Sequence, residues 1–120
     1  MENMSMSLRS ITLCIALAFS AAAAAAPNGN VAAGKAKAQQ VCAACHGADG
    51  NKTLDGSYPK LAGQYADYLS KALHDYKSGK RKNPIMGGQA QGLSEQDIAN
   101  LAVYFGSLTP EIHDLSAHTR

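Results

Sequence analysis

The sequence contains no tryptophan, only two phenylalanines and only three cysteines. Each shortage excludes something. With bulky aromatics scarce and alanine and glycine abundant, the side chains underfill a core, and a small domain in that position needs a staple, a metal or a cofactor. Charge is thin as well. Eleven Lys and Arg against nine Asp and Glu give a net charge of +2, too little to point to nucleic acid. No segment alternates apolar and polar residues as a half-buried strand does, and no segment repeats. The fold class expected is all-α. A long apolar run is also missing: Ile11 to Phe19 is interrupted only by Thr12, but it is shorter than the ~20 residues that span a bilayer.

That short run has a context. Arg9 precedes it, and "SAAAAAA" and "PNGN" follow. A basic start, a short apolar middle and a small-residue end describe a Sec-type signal peptide over residues 1–26, cut near 24–26. Pro27 directly after the cut disfavours Ala26 as the last residue removed, and Leu13 before Cys14 is too bulky for lipoprotein processing. The competing reading is retention as a membrane anchor. Removal takes the chain out of the cytoplasm with no stable membrane insertion. It leaves Cys42 and Cys45 as the only thiols, Met86 as the only thioether and Phe105 as the only phenylalanine.

Three helices are expected in the exported part. The first covers Val31 to Val41, with Asn30 as N-cap and Ala32, Ala33, Ala36 and Val41 as its apolar face. A loop, "ADGNKTLDGSYPK", follows. The second helix covers Leu61 to Ser78, with Leu61, Tyr65, Tyr68, Leu69, Ala72, Leu73 and Tyr76 at helical spacing and Gly79 just past its end. "KRKNPIMGGQAQG" reads as a second loop, because Pro84 and the Gly87-Gly88 pair argue against a helix. The third helix opens at the Ser94 cap and buries Ile98, Leu101, Ala102 and Phe105. The tail from Thr109 to Arg120 has no period and is expected to be mobile, which makes 27–108 the domain.

At the end of the first helix stands "VCAACHG", residues 41–47. C-x-x-C-H is the attachment motif of c-type haem. Two thiols three residues apart on one turn each add to a haem vinyl group, and the next residue, His46, projects under the iron as an axial ligand. Two other chemistries use such clusters. A thioredoxin-like redox pair normally follows a strand, and none is expected here. A structural zinc site wants four ligands; adjacent Cys45 and His46 would bind one ion under strain, and His74, His113 and His118 lack paired spacing. For the second axial position the candidate is Met86, expected off any helix; a thioether favours reduced iron. Its rival is His74. With both axial positions filled by protein, no substrate position is open, and the chain reads as an electron-transfer protein rather than an enzyme. The alternative is a haem enzyme, or a gas- or peroxide-binding sensor, in which the methionine dissociates.

With "GKAKAQQVCAACHG", "YPKLAGQYADYL", "YKSGKRKNPIM" and "LSEQDIANLAVYF" in this order, the chain resembles the small bacterial periplasmic class I cytochromes c. It is also similar to one half of the di-haem cytochromes built from two such domains. The resemblance covers about Asn28 to Leu108. It implies a three-to-four-helix fold wrapped around one covalently attached haem c. In that fold Gly34 lets the first helix cross the last against Tyr104 or Phe105, and the Pro59 carbonyl accepts the Nδ1–H of His46. Arg81 and Asn83 are placed to reach a haem propionate or the Met86 segment. The resemblance further implies a periplasmic carrier in a respiratory or photosynthetic chain. Its partners would be a membrane cytochrome complex, a terminal oxidase or a periplasmic reductase. Lys71, Lys77, Lys80, Arg81 and Lys82, crowded around a single Asp75, would face an acidic partner or simply solubilise a helix end.

Overall fold

A computed structural model describes residues 27–111. The expected signal peptide, and the tail beyond Glu111 with His113 and His118, lie outside the described residues. Five helices run α1 (Val31–Val41), α2 (Ala43–His46), α3 (Ala66–Lys77), α4 (Pro84–Gln91) and α5 (Glu95–Ser107), and no strand occurs among the described residues. No helix among them is long and apolar enough to cross a membrane.

The α1–α5 crossing is the backbone of the fold. A Cβ on Gly34 would come within 2.1 Å of the Asn100 carbonyl oxygen and 2.7 Å of the Tyr104 Cβ. Only glycine therefore allows the two helices this close, and Tyr104 is the aromatic at the crossing. The buried face of α1 is Gly34 and Ala38, continued by half-buried Cys42, whereas the expected face (Ala32, Ala33, Ala36 and Val41) is exposed. The alanine pattern does not mark the buried side of α1, because alanine tolerates water nearly as well as burial. At the N-terminus Asn30 Oδ1 accepts from the Ala33 N–H at 2.9 Å, and the Asn30 N–H donates to Asn100 Oδ1 at 2.7 Å.

Helix α5 opens with a reciprocal Ser94–Asp97 capping box and buries Ile98, Leu101, Ala102 and Phe105, as the spacing predicts. Helix α3 starts later than its apolar period suggests. The Leu61 and Ala62 N–H groups both donate to the Gly50 carbonyl, at 2.8 and 3.1 Å, and Gly63 turns at φ +72°. These bonds hold residues 61–64 out of the helix. At its other end Ser78 caps and Gly79 takes φ +75°.

The largest departure is α4. Proline at N1 costs a helix no bond, since that N–H has no intrahelical partner. Asn83 accepts from the N–H groups of Ile85 and Met86, at 3.0 and 2.9 Å, and two interior glycines are carried by the burial of Ala90 and Leu93. Met86 thus sits in the first turn of a helix rather than on a loop.

Candidate haem site

Helix α1 delivers its last residue into a single turn. The Cys42 N–H closes on the Ala38 carbonyl at 2.8 Å, and the His46 N–H on the Cys42 carbonyl at 3.0 Å. Gly47 then leaves at φ +81°, where a Cβ would lie 2.3 Å from the Lys52 carbonyl oxygen. Cys42, Cys45 and His46 are therefore fixed on one turn. Both thiols are free and half-buried, and the imidazole is buried. Burial pushes the Cys42 thiol up to about 11. No cation offsets that effect, so Cys42 lacks the thiolate character of a redox-active pair. Among the described residues no three His, Cys, Asp or Glu side chains converge to hold a metal ion, which removes the zinc reading for that part of the chain.

The His46 Nδ1–H donates to the Pro59 carbonyl at 2.8 Å, the bond the family resemblance implies. It fixes the tautomer and the ring plane and leaves Nε2 as the free lone pair. The Tyr58 ring stands edge-on to the imidazole, with centroids 6.2 Å apart.

These groups open onto a cleft of about 490 Å³. Helix α3 walls it with Leu69, Ala72, Leu73 and Tyr76, α5 contributes Leu101 and Phe105, and α4 contributes Met86. The cleft thus brings together both thiols, the imidazole and the only thioether beyond the first six residues. The residues present fit a haem: a mostly apolar cavity of the size small-molecule sites have, with two thiols to anchor the group and a nitrogen and a sulfur donor for iron.

His74 is not among the cleft residues. Its Nε2 lies 2.6 Å from Glu95 Oε2 and its Nδ1 2.8 Å from the Ser70 carbonyl, so both ring nitrogens are engaged on the outer side of α3. Arg81 does line the cleft; it reaches the Tyr68 hydroxyl at 3.3 Å and lies over the Tyr76 ring at 5.0 Å. Asn83 lines it too, with its side chain committed to capping α4. The basic cluster is partly neutralised in space: Lys71 bonds Asp75, and Lys77 bonds the Leu93 carbonyl and pairs with Glu95. Tyr68 and Gln64 at the cleft were not singled out as site residues by the sequence, although Tyr68 sits on the apolar period of α3.

The cytochrome c family model matches residues 31–109. Cytochrome c4 of Pseudomonas aeruginosa is 54% identical over 79 residues, covering 66% of this chain and 38% of that protein. Cytochrome c-554(548) of Halomonas halodenitrificans is 45% identical over 82 residues, covering 66% of this chain and 96% of that protein. The crystal structure of reduced recombinant cytochrome c4 from Pseudomonas stutzeri superposes with a TM-score of 0.64 at 41% identity, over 70% of this chain and 48% of that one. The chain spans less than half the length of these cytochrome c4 proteins, and so resembles one half of the larger molecule. It belongs to the cytochrome c family, whose covalently bound haem c goes with the C-x-x-C-H motif formed here by Cys42, Cys45 and His46.

Proposed function

We propose that the chain is a soluble periplasmic electron carrier. In this reading Cys42 and Cys45 would hold haem c through thioethers, and His46 and Met86 would supply its iron ligands. Residues 1–26 would serve as the export signal and 27–108 as the cytochrome domain, to which Asn51 ties Thr109 and Glu111. The observation that carries the reading is the shared cleft: the single thioether in the described chain opens onto the same apolar cavity as the C-x-x-C-H turn.

Bound haem supplies reversible one-electron chemistry at iron. The protein residues supply the rest. The Pro59 carbonyl orients His46 and raises its basicity as a donor. Asn83 fixes the first turn of α4 and with it the position of Met86. Leu69, Leu101 and Phe105, all buried, keep water from the interior of the cleft. Val41, Tyr68 and Ile85 line the cleft yet remain exposed, a rim on which a redox protein can rest. Lys80 and Lys82 are exposed next to Asn83 and favour a partner with acidic character. A membrane cytochrome complex, a terminal oxidase or a periplasmic reductase of a respiratory or photosynthetic chain meets that description.

The test is spectroscopic. Ferric wild-type protein is expected to show the methionine–iron charge-transfer band, and the reduced protein to bind carbon monoxide slowly. Met86→Ala should abolish the band, lower the reduction potential and open iron to carbon monoxide, whereas His74→Ala should change none of these. A wild-type protein that lacks the band and binds carbon monoxide rapidly would refute the carrier reading and identify a gas- or peroxide-binding protein.

A further inference from the structure

We propose that Thr109–Glu111 forms a strap that positions the His46 ring. It acts through Asn51 and Lys60 on the peptide that carries the Pro59 carbonyl, and in this way helps set the potential of the haem. The inference rests on His46 being an iron ligand, as proposed above.

Asn51 is 7% exposed, and its amide clamps the strap at two points. Its Oδ1 accepts from the Glu111 N–H at 2.8 Å, and its Nδ2 donates to the Thr109 carbonyl at 3.1 Å. Lys60 Nζ donates to the Glu111 carbonyl at 3.1 Å. The Pro110 ring lies against Gly63 so closely that a Cβ there would come within 2.6 Å of its Cδ. From the other side the Gly50 carbonyl receives the N–H groups of Leu61 and Ala62. Residues 60–63 are thus gripped between Gly50 and the strap.

Pro59 immediately precedes that gripped run. Its carbonyl belongs to the planar peptide it shares with the Lys60 nitrogen, so fixing the Lys60 backbone fixes the direction of the carbonyl that receives the His46 proton. Upstream, the backbone N–H groups of Ser57 and Tyr58 make only short-range bonds, to Asp55, while the Tyr58 ring stands edge-on to His46. The backbone around the Pro59 carbonyl is therefore anchored over long range from the downstream side, where the strap is one of two anchors. A good bond from Nδ1–H makes the imidazole a stronger donor and favours ferric iron. Loosening the strap should weaken the bond and raise the reduction potential.

The experiment compares Asn51→Ala, Lys60→Met and Pro110→Ala in the matured haem protein. The readouts are the reduction potential, the methionine–iron charge-transfer band and hydrogen exchange of the His46 Nδ1–H by NMR. Asn51→Ala should raise the potential and speed the exchange about tenfold or more, the equivalent of roughly 1.4 kcal/mol of lost protection, with the charge-transfer band unchanged. Lys60→Met and Pro110→Ala should move both readouts in the same direction by less. Asn51→Asp, which keeps the acceptor for Glu111 but loses the donor to Thr109, should fall between wild type and Asn51→Ala. A strap that only adds stability would lower the melting temperature and leave potential and exchange at wild-type values, which would overturn the proposal. If Asn51→Ala does not mature, the two milder variants decide on the same readouts. Failure of the ligand reading looks different: His46→Gly would then retain the wild-type haem spectrum whatever the strap variants do.

Discussion

The α1–α5 crossing and the α3–α4 wall of the cleft are built by opposite rules. At the crossing, chain meets chain. Gly34 brings two backbones into contact, Ala38 and Tyr104 fill what remains, and the polar groups find partners: Asn100 takes the Asn30 and Gln96 N–H groups, and the Tyr104 hydroxyl donates to the Ala48 carbonyl. At the wall, helices turn apolar residues to the cleft as well as to the core. Leu73, Tyr76 and Met86 are only half-buried, and Ile85 is 58% exposed. The same glycine residue type has two meanings in the two regions. Gly34 has no room for a methyl group, while a Cβ at Gly88 would meet nothing within 4 Å. A scarcity of bulky side chains is harmless at the first region and is resolved at the second by a covalently held cofactor.

The sharpest way to break the comparison is to remove the anchors. Cys42→Ser with Cys45→Ser should abolish covalent haem, seen by haem staining under denaturing conditions. Cooperative thermal unfolding should go with it, because the α3–α4 wall then has too little apolar surface to pack on. Fully cooperative melting without haem would show that the wall does not need the cofactor. Gly34→Ala comes next. It forces a methyl group onto the Asn100 carbonyl and should cost about 1–3 kcal/mol or more in denaturant unfolding. Gly88→Ala should have the opposite sign, a gain of about 0.5–1 kcal/mol, since it adds helix propensity at an open position. The smallest effect belongs to the link between α3 and α5. The bonds to Glu95 and then to the Ser70 carbonyl raise His74 above its ordinary value of 6.5. A raised folded value stabilises most below about pH 6.5 and is lost as pH climbs through the folded value. His74→Gln should therefore be less stable than wild type near pH 6 and indistinguishable from it near about pH 9. With the imidazole 45% exposed and Glu95 62% exposed, the difference should stay under about 1 kcal/mol.

Much of this contrast was readable in the chain. Helix α5 carries its signals locally, a serine cap and an apolar stripe, and the structure places them as read. Cys42, Cys45 and Met86 stand out because their residue types are scarce after residue 26, and His46 by its place directly after the cysteine pair; the structure brings all four to one cleft. What failed did so for physical reasons. Pro84 and two glycines look like helix breakers, yet proline at N1 breaks nothing and the Asn83 side chain supplies the cap. The beginning of α3 has a helical period, but Gly50, eleven residues upstream of Leu61, withdraws it from the helix. The pairing of Asn51 with Thr109 and Glu111 joins two segments about sixty residues apart. No local pattern announces such a pairing, and the tail reads as structureless from its composition although its first three residues are tied down.

The α1–α5 crossing also dictates an order of events. The Asn30–Asn100 bond spans seventy residues, so its loop-closure entropy must be met before the bond contributes anything. Such contacts form late compared with a capped helix such as α5. Until the crossing closes, the C-x-x-C-H turn at the end of α1 stays accessible. As a polypeptide emerges from its N-terminus, the two thiols are presented well before the helix that completes the domain exists. The crossing that Gly34 permits is thus expected to close after the attachment turn has been presented.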